Sequence, residues 1–218
     1  MTRYTGSGHE PGPDTRPLTG AIPAHLPRRL TITLGDFSWY TRAVAGEPYA
    51  DLDAAMAEAT DRGYNAIRIC AAPLLLFGGL GLDDLASDLT IEGMGTSPGG
   101  EVYGRGTRWY DVPGGYALDL RTRFFDLLRA ARRHGVVVIL ASWEYQQSPA
   151  FAADRRWFDA IDAVPLDERY ETLANAAIRM LDAIEAEGLG DVIAFTELHN
   201  EVDFSIVPAF ADGGDEAL

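Results

Sequence analysis

Three observations predict an α/β fold of the (β/α)8 TIM-barrel type, represented by its first four strands, a half barrel. An amphipathic helical stretch, a glycine and a short apolar stretch follow one another three times; the apolar stretches lack polar alternation; and the connections leaving them are much longer than those entering them. Strands that are apolar on both faces and separated by helices imply parallel pairing, with crossover helices covering the sheet. Long connections after the strands and short ones before them put variable chain at one face only, as in a barrel whose strand-to-helix loops build a site. A doubly wound open sheet is the rival, but the first strand runs into "GDFSWYTR" rather than a Gly-rich phosphate turn. Eight units need ~250 residues, and here four strands take up nearly all 218.

The elements follow in order. Residues 1–28 are rich in Gly, Pro and Thr, lack the apolar core of a signal peptide and read as a flexible leader, leaving 29–218 as the folded domain. "LTITLGDF" is the first strand, centred near 30–35. "YADLDAAMAEATDRG" aligns Leu52, Ala55, Met56 and Ala59 on one stripe, with Gly63 placed as a left-handed helix end before a strand near 65–70. "YALDLRTRFFDLLRAARRHG" does the same with Leu120, Phe124, Leu127, Leu128 and Ala131, then Gly135, before a strand near 136–142. "LDERYETLANAAIRMLDAIEAEG" offers Tyr170, Leu173, Ala177, Leu181 and Ile184, then Gly188, before a strand near 192–198. The connections 71–116 and 142–166 read as loops.

A formal net charge of −15 repels phosphate backbones and anionic lipid, so neither nucleic acid nor a membrane surface is an expected partner. No stretch approaches the ~18–20 apolar residues of a membrane span, and the expected location is cytoplasmic. Cys70 is the single cysteine and reads as an inert buried thiol. Of four histidines, His9 and His25 fall in the leader, so no metal site and no cofactor are expected. An open four-stranded sheet leaves two unpaired edges, through which self-association is expected.

The chemistry concentrates where the last strand ends. In "FTELHNEVDF", residues 195–204, an apolar run gives way to Glu197, His199, Asn200, Glu201 and Asp203. This stretch resembles the fourth strand of the cellulase-like retaining glycoside hydrolases, family 5 and its barrel relatives, which ends in Phe/Tyr-Glu-Leu-x-Asn-Glu-Pro. "GYNAIRI" is similar to that family's second strand, Gly-x-Asn-x-x-Arg. The resemblance implies the N-terminal half of a glycosidase-like catalytic domain, in truncated or partial form, acting on a carbohydrate substrate, a β-linked glycan or glycoside. Glu201 would be the acid/base, Asn200 would hold the sugar 2-hydroxyl, and Arg68 would orient the nucleophile. Val202 replaces the family's proline. The third strand ends in Trp143, Glu144 and Tyr145 where many members have a histidine. The two rings suit sugar stacking or rim packing, and His199 suits the rim of the substrate site. The family's nucleophile is a glutamate on the seventh strand, so the isolated chain is expected to be inactive.

Bland readings stand beside these. Arg68 lies between Ile67 and Ile69, and a buried arginine must be paired, so it is either a site residue or half of a structural ion pair. Glu197 reads as a core-paired carboxylate rather than a catalyst. Glu144 and Glu201 end neighbouring strands ~4.8 Å apart and offer an improvised dyad. The alternative function is a non-catalytic half-barrel that binds carbohydrate or a protein partner.

Overall fold

Gly63, Gly135 and Gly188 have φ of +86°, +68° and +67°, a left-handed conformation that glycine adopts without a Cβ penalty. Each ends one of the three expected helices and turns the chain into a strand. The computed structural model describes residues 22–33, 38–43, 45–47, 49–79, 89–93, 111–142, 163–165 and 167–197. In chain order these form β1 (Ile32–Thr33), α1 (Ser38–Thr41), α2 (Leu52–Asp61), β2 (Ala66–Ala71), α3 (Pro73–Phe77), β3 (Leu89–Gly93), β4 (Asp111–Leu118), α4 (Leu120–Arg133), β5 (Val137–Ser142), α5 (Arg169–Ala186), a 3-10 turn (Gly190–Val192) and β6 (Ile193–Glu197). No helix among the described residues is long and apolar enough to cross a membrane.

Four strands form one sheet in the order β1-β2-β5-β6, every pair parallel. The fold is therefore α/β of the (β/α)8 type, with four consecutive barrel strands side by side. Asn65, the asparagine of "GYNAIRI", locks the first pair. Its side-chain amide donates to the Arg29 carbonyl (2.9 Å) and its side-chain oxygen accepts from the Thr31 N–H (2.8 Å). Residues 22–28, within the stretch read as leader, reach across to the far strand, where a His25 ring nitrogen lies 3.2 Å from the Ile193 carbonyl.

The helices start where acidic caps dictate. The Asp51 carboxylate accepts from the Ala54 N–H and that of Asp119 from the Thr122 N–H, each satisfying an amide the first turn leaves open. Between helices and sheet lies one core of buried side chains, including Met56, Ile67, Ile69, Phe124, Leu128, Val138, Leu140, Met180 and Ile184. Phe124 is its hub, fully buried and edge-on to Tyr40, Phe77 and Phe125.

Two expectations need correction. The connection 71–116 is not loop alone: it holds α3, and β3 and β4 pair antiparallel as a separate two-stranded sheet. Tyr116, at the start of the expected second helix, belongs to β4 and pairs with Ile91. The stripe on α5 is also rotated. Tyr170 is 56% exposed, while Ala176, Met180 and Ile184 are buried. The apolar residues of α5 spread around more than one face, and packing against α3 selects the side carrying Met180.

Replacing Phe124 with alanine removes the hub ring from a filled site, so a stability loss of about 3–5 kcal/mol is expected. Urea unfolding checks this: the midpoint should fall with little change in m.

Candidate active site

In a (β/α)8 fold, site residues come from the C-terminal ends of strands. There, side chains that are level in register share a face of the sheet, because successive residues point to opposite sides. Arg68 is level with Ile139, and Cys70 with Ala141. On β6, Ile193 is level with Val138, but Phe195 is level with Ile139 and Glu197 with Ala141. The register therefore shifts by one residue early in β6. Ile193 packs against the helix-covered core, while Phe195, two residues on, is 45% exposed on the other face. Regular alternation would have kept both on one side. A bulge at this point re-aims the rest of the strand, as bulges beside sites do.

That shift brings Glu197 onto the face of Arg68, across the intervening strand β5. The two carboxylate oxygens accept from Arg68 Nε at 3.0 and 3.1 Å, and Nη2 donates to Oε2 at 2.5 Å. Their side chains are 23% and 32% exposed, so water screens the pair only partly. Ala141, level with Glu197 on the strand between, presents only a methyl group where the guanidinium crosses. The Arg68 guanidinium holds the Glu197 carboxyl below its ordinary value of 4.5; partial burial opposes this and loses. The expectation that Arg68 is paired is met, with its carboxylate at the C-terminal end of β6. At the same end of β2 the Tyr40 hydroxyl donates to the Cys70 carbonyl at 2.9 Å. Cys70 itself is buried and, as the single cysteine of the sequence, forms no internal disulfide.

Of the expected site residues, Arg68 is among the described residues, paired with Glu197. Trp143, Glu144, Tyr145, His199, Asn200 and Glu201 lie outside the described residues, so the Glu144/Glu201 dyad does too. In sequence each group follows a strand end directly: Trp143 comes after Ser142, and Glu201 is four residues beyond Glu197. Glu197, read from the sequence as a paired carboxylate, is indeed paired, and its partner is Arg68. The signal was available, since an arginine buried in β2 needs a carboxylate and a carboxylate closing β6 needs a cation. Linking them required the bulge, which the apolar pattern does not reveal.

Comparison with known proteins adds an independent observation. Residues 32–80 match a family model described as cellulase-like, sugar-binding. A solved structure from Parabacteroides distasonis ATCC 8503, of a protein assigned as a glycoside hydrolase, superposes with a TM-score of 0.60 at 27% identity, over 84% of this chain and 42% of that one. The chain is similar to the cellulase-like glycoside hydrolases over these regions. An endocellulase from Pyrococcus horikoshii, crystallised with cellotetraose, is more distant: TM-score 0.45 and 16% identity, over 80% of this chain and 38% of that one. The chain thus spans less than half the length of either structure. A comparison with curated proteins finds no match.

The cellulase-like match takes in β1, α2, β2 and α3, and so includes Arg68 and Asn65 but not β6. Arg68→Met would strand the partly buried Glu197 carboxylate. We expect a stability loss of about 1–3 kcal/mol, most of it recovered in Arg68→Met/Glu197→Leu, as a double-mutant cycle would measure. The pH dependence follows from the sign of the shift. A carboxyl with a depressed folded pKa stabilises the fold above its unfolded value, and that contribution is lost as pH falls through the folded one. Thermal melts should therefore decline as pH drops from about 4.5, and Glu197→Gln should flatten that decline while starting from a lower Tm at pH 7.

Proposed function

We propose that the chain carries the acid/base side of a retaining glycoside hydrolase site for β-linked glycans, with Glu201 as acid/base. The observation that supports it most is the Arg68–Glu197 pair, a charged link from the middle of β2 to the C-terminal end of β6. The Asn-Glu of the strand-four motif follows it in sequence. In the first step Glu201 gives its proton to the glycosidic oxygen as the bond to the anomeric carbon breaks, and a second carboxylate attacks that carbon. In the second step Glu201, now a carboxylate, takes a proton from the water that displaces the enzyme's carboxylate. Asn200 holds the sugar 2-hydroxyl, where hydrogen bonds strengthen in the transition state. Glu197 is not the second carboxylate in this reading, because Arg68 engages both of its oxygens. Its role is to hold Arg68, and through it the strand ends.

A second reading draws on the sugar-binding wording of the family match: the chain binds a β-linked glycan without cleaving it. Hydrolysis and binding assays on the same protein separate the two. Under the first reading, Glu201→Gln lowers hydrolysis of a glycoside with a poor leaving group by about 10²–10⁴-fold. It spares the first step for a dinitrophenyl glycoside, whose departure needs no proton, and added azide restores turnover. Turnover of every substrate unchanged by Glu201→Gln overturns the first reading. Cellotetraose binding by calorimetry, with no hydrolysis even when a barrel half carrying the second carboxylate is supplied, establishes the second.

A further inference from the structure

Two routes join β2 to β6 without passing through the strand between them. One is the Arg68–Glu197 pair, on the side of the sheet that Phe195 shares. The other runs through the helices on the opposite side. β2 ends at Ala71 and α3 begins at Pro73, so the helix carries the end of β2 with it. Arg179, in the middle of α5, donates Nε to the Phe77 carbonyl at 2.6 Å and Nη2 to the Gly78 carbonyl at 2.5 Å. α5 in turn leads through the 3-10 turn at Gly190–Val192 straight into β6.

A five-residue helix does not persist alone, and its last carbonyls have no partner within it. Arg179 takes two of them, and Arg121 of α4 takes another, donating Nε to the Leu76 carbonyl at 2.9 Å. Both grips place a cation at a helix C-terminus, where it is favoured. They differ in what they tie down: α4 leads into β5, whereas α5 leads into β6 and Glu197. The α3 turn has little freedom to absorb a movement of α5. A Cβ on Gly78 would collide with the Leu74 carbonyl oxygen, and Leu74, Leu76 and Phe77 are buried in the same core as Ala176 and Met180 of α5.

The result is a closed ring of contacts. The chain joins β2 to α3, Arg179 joins α3 to α5, the chain joins α5 to β6, and Glu197 returns to Arg68 on β2. In a ring each link forms between groups that the other already holds together, so each lowers the entropy cost of the other. β6 needs this support. After its register shift it keeps three level partners on β5, at Ile139, Leu140 and Ala141, and Glu197 is its last residue.

We propose that Arg179 is a positioning residue for the Arg68–Glu197 pair: by holding α5 to the α3 turn it sets β6 relative to β2, and so keeps Glu197 within reach of the guanidinium. Arg121, outside the ring, secures the same turn without this effect. The inference stands on these contacts and is independent of the glycan reading.

The test follows the pair and the turn separately in the full chain. NMR titration reads the Glu197 carboxyl, which Arg68 holds below its ordinary value of 4.5. Hydrogen exchange reads the Leu76 and Gly78 amides, which donate to the Ala72 and Leu74 carbonyls. In Arg179→Met both amides should exchange about tenfold faster, and the carboxyl should titrate higher, toward its ordinary value. In Arg121→Met the amides should also speed up while the carboxyl titrates as in the parent protein. Arg179→Lys keeps the charge without the two-pronged grip, so the carboxyl should still move, by less. Linkage is reciprocal, so Glu197→Gln should speed the same two amides about fivefold while α2 amides keep their rates. That arm also decides the matter where Arg179→Met does not fold. A carboxyl at its parent value in either Arg179 variant whose turn has loosened overturns the positioning role. So do turn amides unchanged in Glu197→Gln or in every Arg179 variant, and so does an equal carboxyl shift in Arg121→Met.

Discussion

An arginine set between two isoleucines in a parallel strand constrains everything around it. Arg68 cannot be deprotonated to escape the low-dielectric sheet, so the fold must bring it a carboxylate, and the nearest strand, β5, supplies none at that level. The partner comes from β6, 129 residues away in sequence. Reaching it needs a one-residue irregularity that turns Glu197 away from the helix side, where Ile193 is packed. It also needs a small residue, Ala141, on the strand between. The ion pair thereby fixes β6 against β2 as well as against β5. The aim of Glu197, at the C-terminal end of β6, is set by an electrostatic requirement originating two strands away.

The two ends of the sheet are built to different standards. At the helix-to-strand end the turns are short and closed by glycine, and arginines of α4 staple them: Arg132 to the Gly188 carbonyl and to Asp191, Arg129 to Glu187. Arg133 and His134 meet Asp53 of α2, whose carboxyl Arg133, chiefly, holds below its ordinary value. These are exposed contacts, each worth little alone, yet they tie all three crossover helices together. At the opposite end the chain makes its excursions, as expected where a rigid scaffold presents variable loops. At the start of the first of these, Arg121 and Arg179 hold the Leu76, Phe77 and Gly78 carbonyls.

What the sequence revealed follows from the range of the forces involved. Helix ends and strand positions were legible because caps, glycines and hydrophobic period are local signals: Met56 and Ala59 on α2 and the whole Leu120-to-Ala131 stripe on α4 are buried as the spacing predicts. The stripe on α5 misled because Tyr170 and Met180 compete for the core, and tertiary packing rather than period decides between them. The hairpin was missed because β3 and β4 are separated by 17 residues of glycine-rich chain, which carries no two-residue turn signal. The need for a partner at Arg68 was legible, but the identity of that partner was not, since it depends on a bulge. For Trp143, Glu144, Tyr145, His199, Asn200 and Glu201 the sequence remains the argument.

The pairing of Arg68 also bears on how a proton is kept nearby. A carboxyl about 8 Å from an unpaired guanidinium, at an effective dielectric of ~20, has its ionised form favoured by about 2 kcal/mol, or roughly 1.5 pKa units. An acid that must donate a proton near neutrality could not tolerate that field. Placing Glu197 on Arg68 turns a monopole into a compact neutral pair, whose field falls off much faster with distance. The strand ends then keep a rigid polar anchor without forcing neighbouring carboxyls to ionise. On this argument the glutamate four residues before the proposed acid is what makes an acid there feasible. In the proposed reading the two carboxylates of "ELHNE" would divide the work: Glu197 neutralises the arginine, so that the proposed acid could hold a proton.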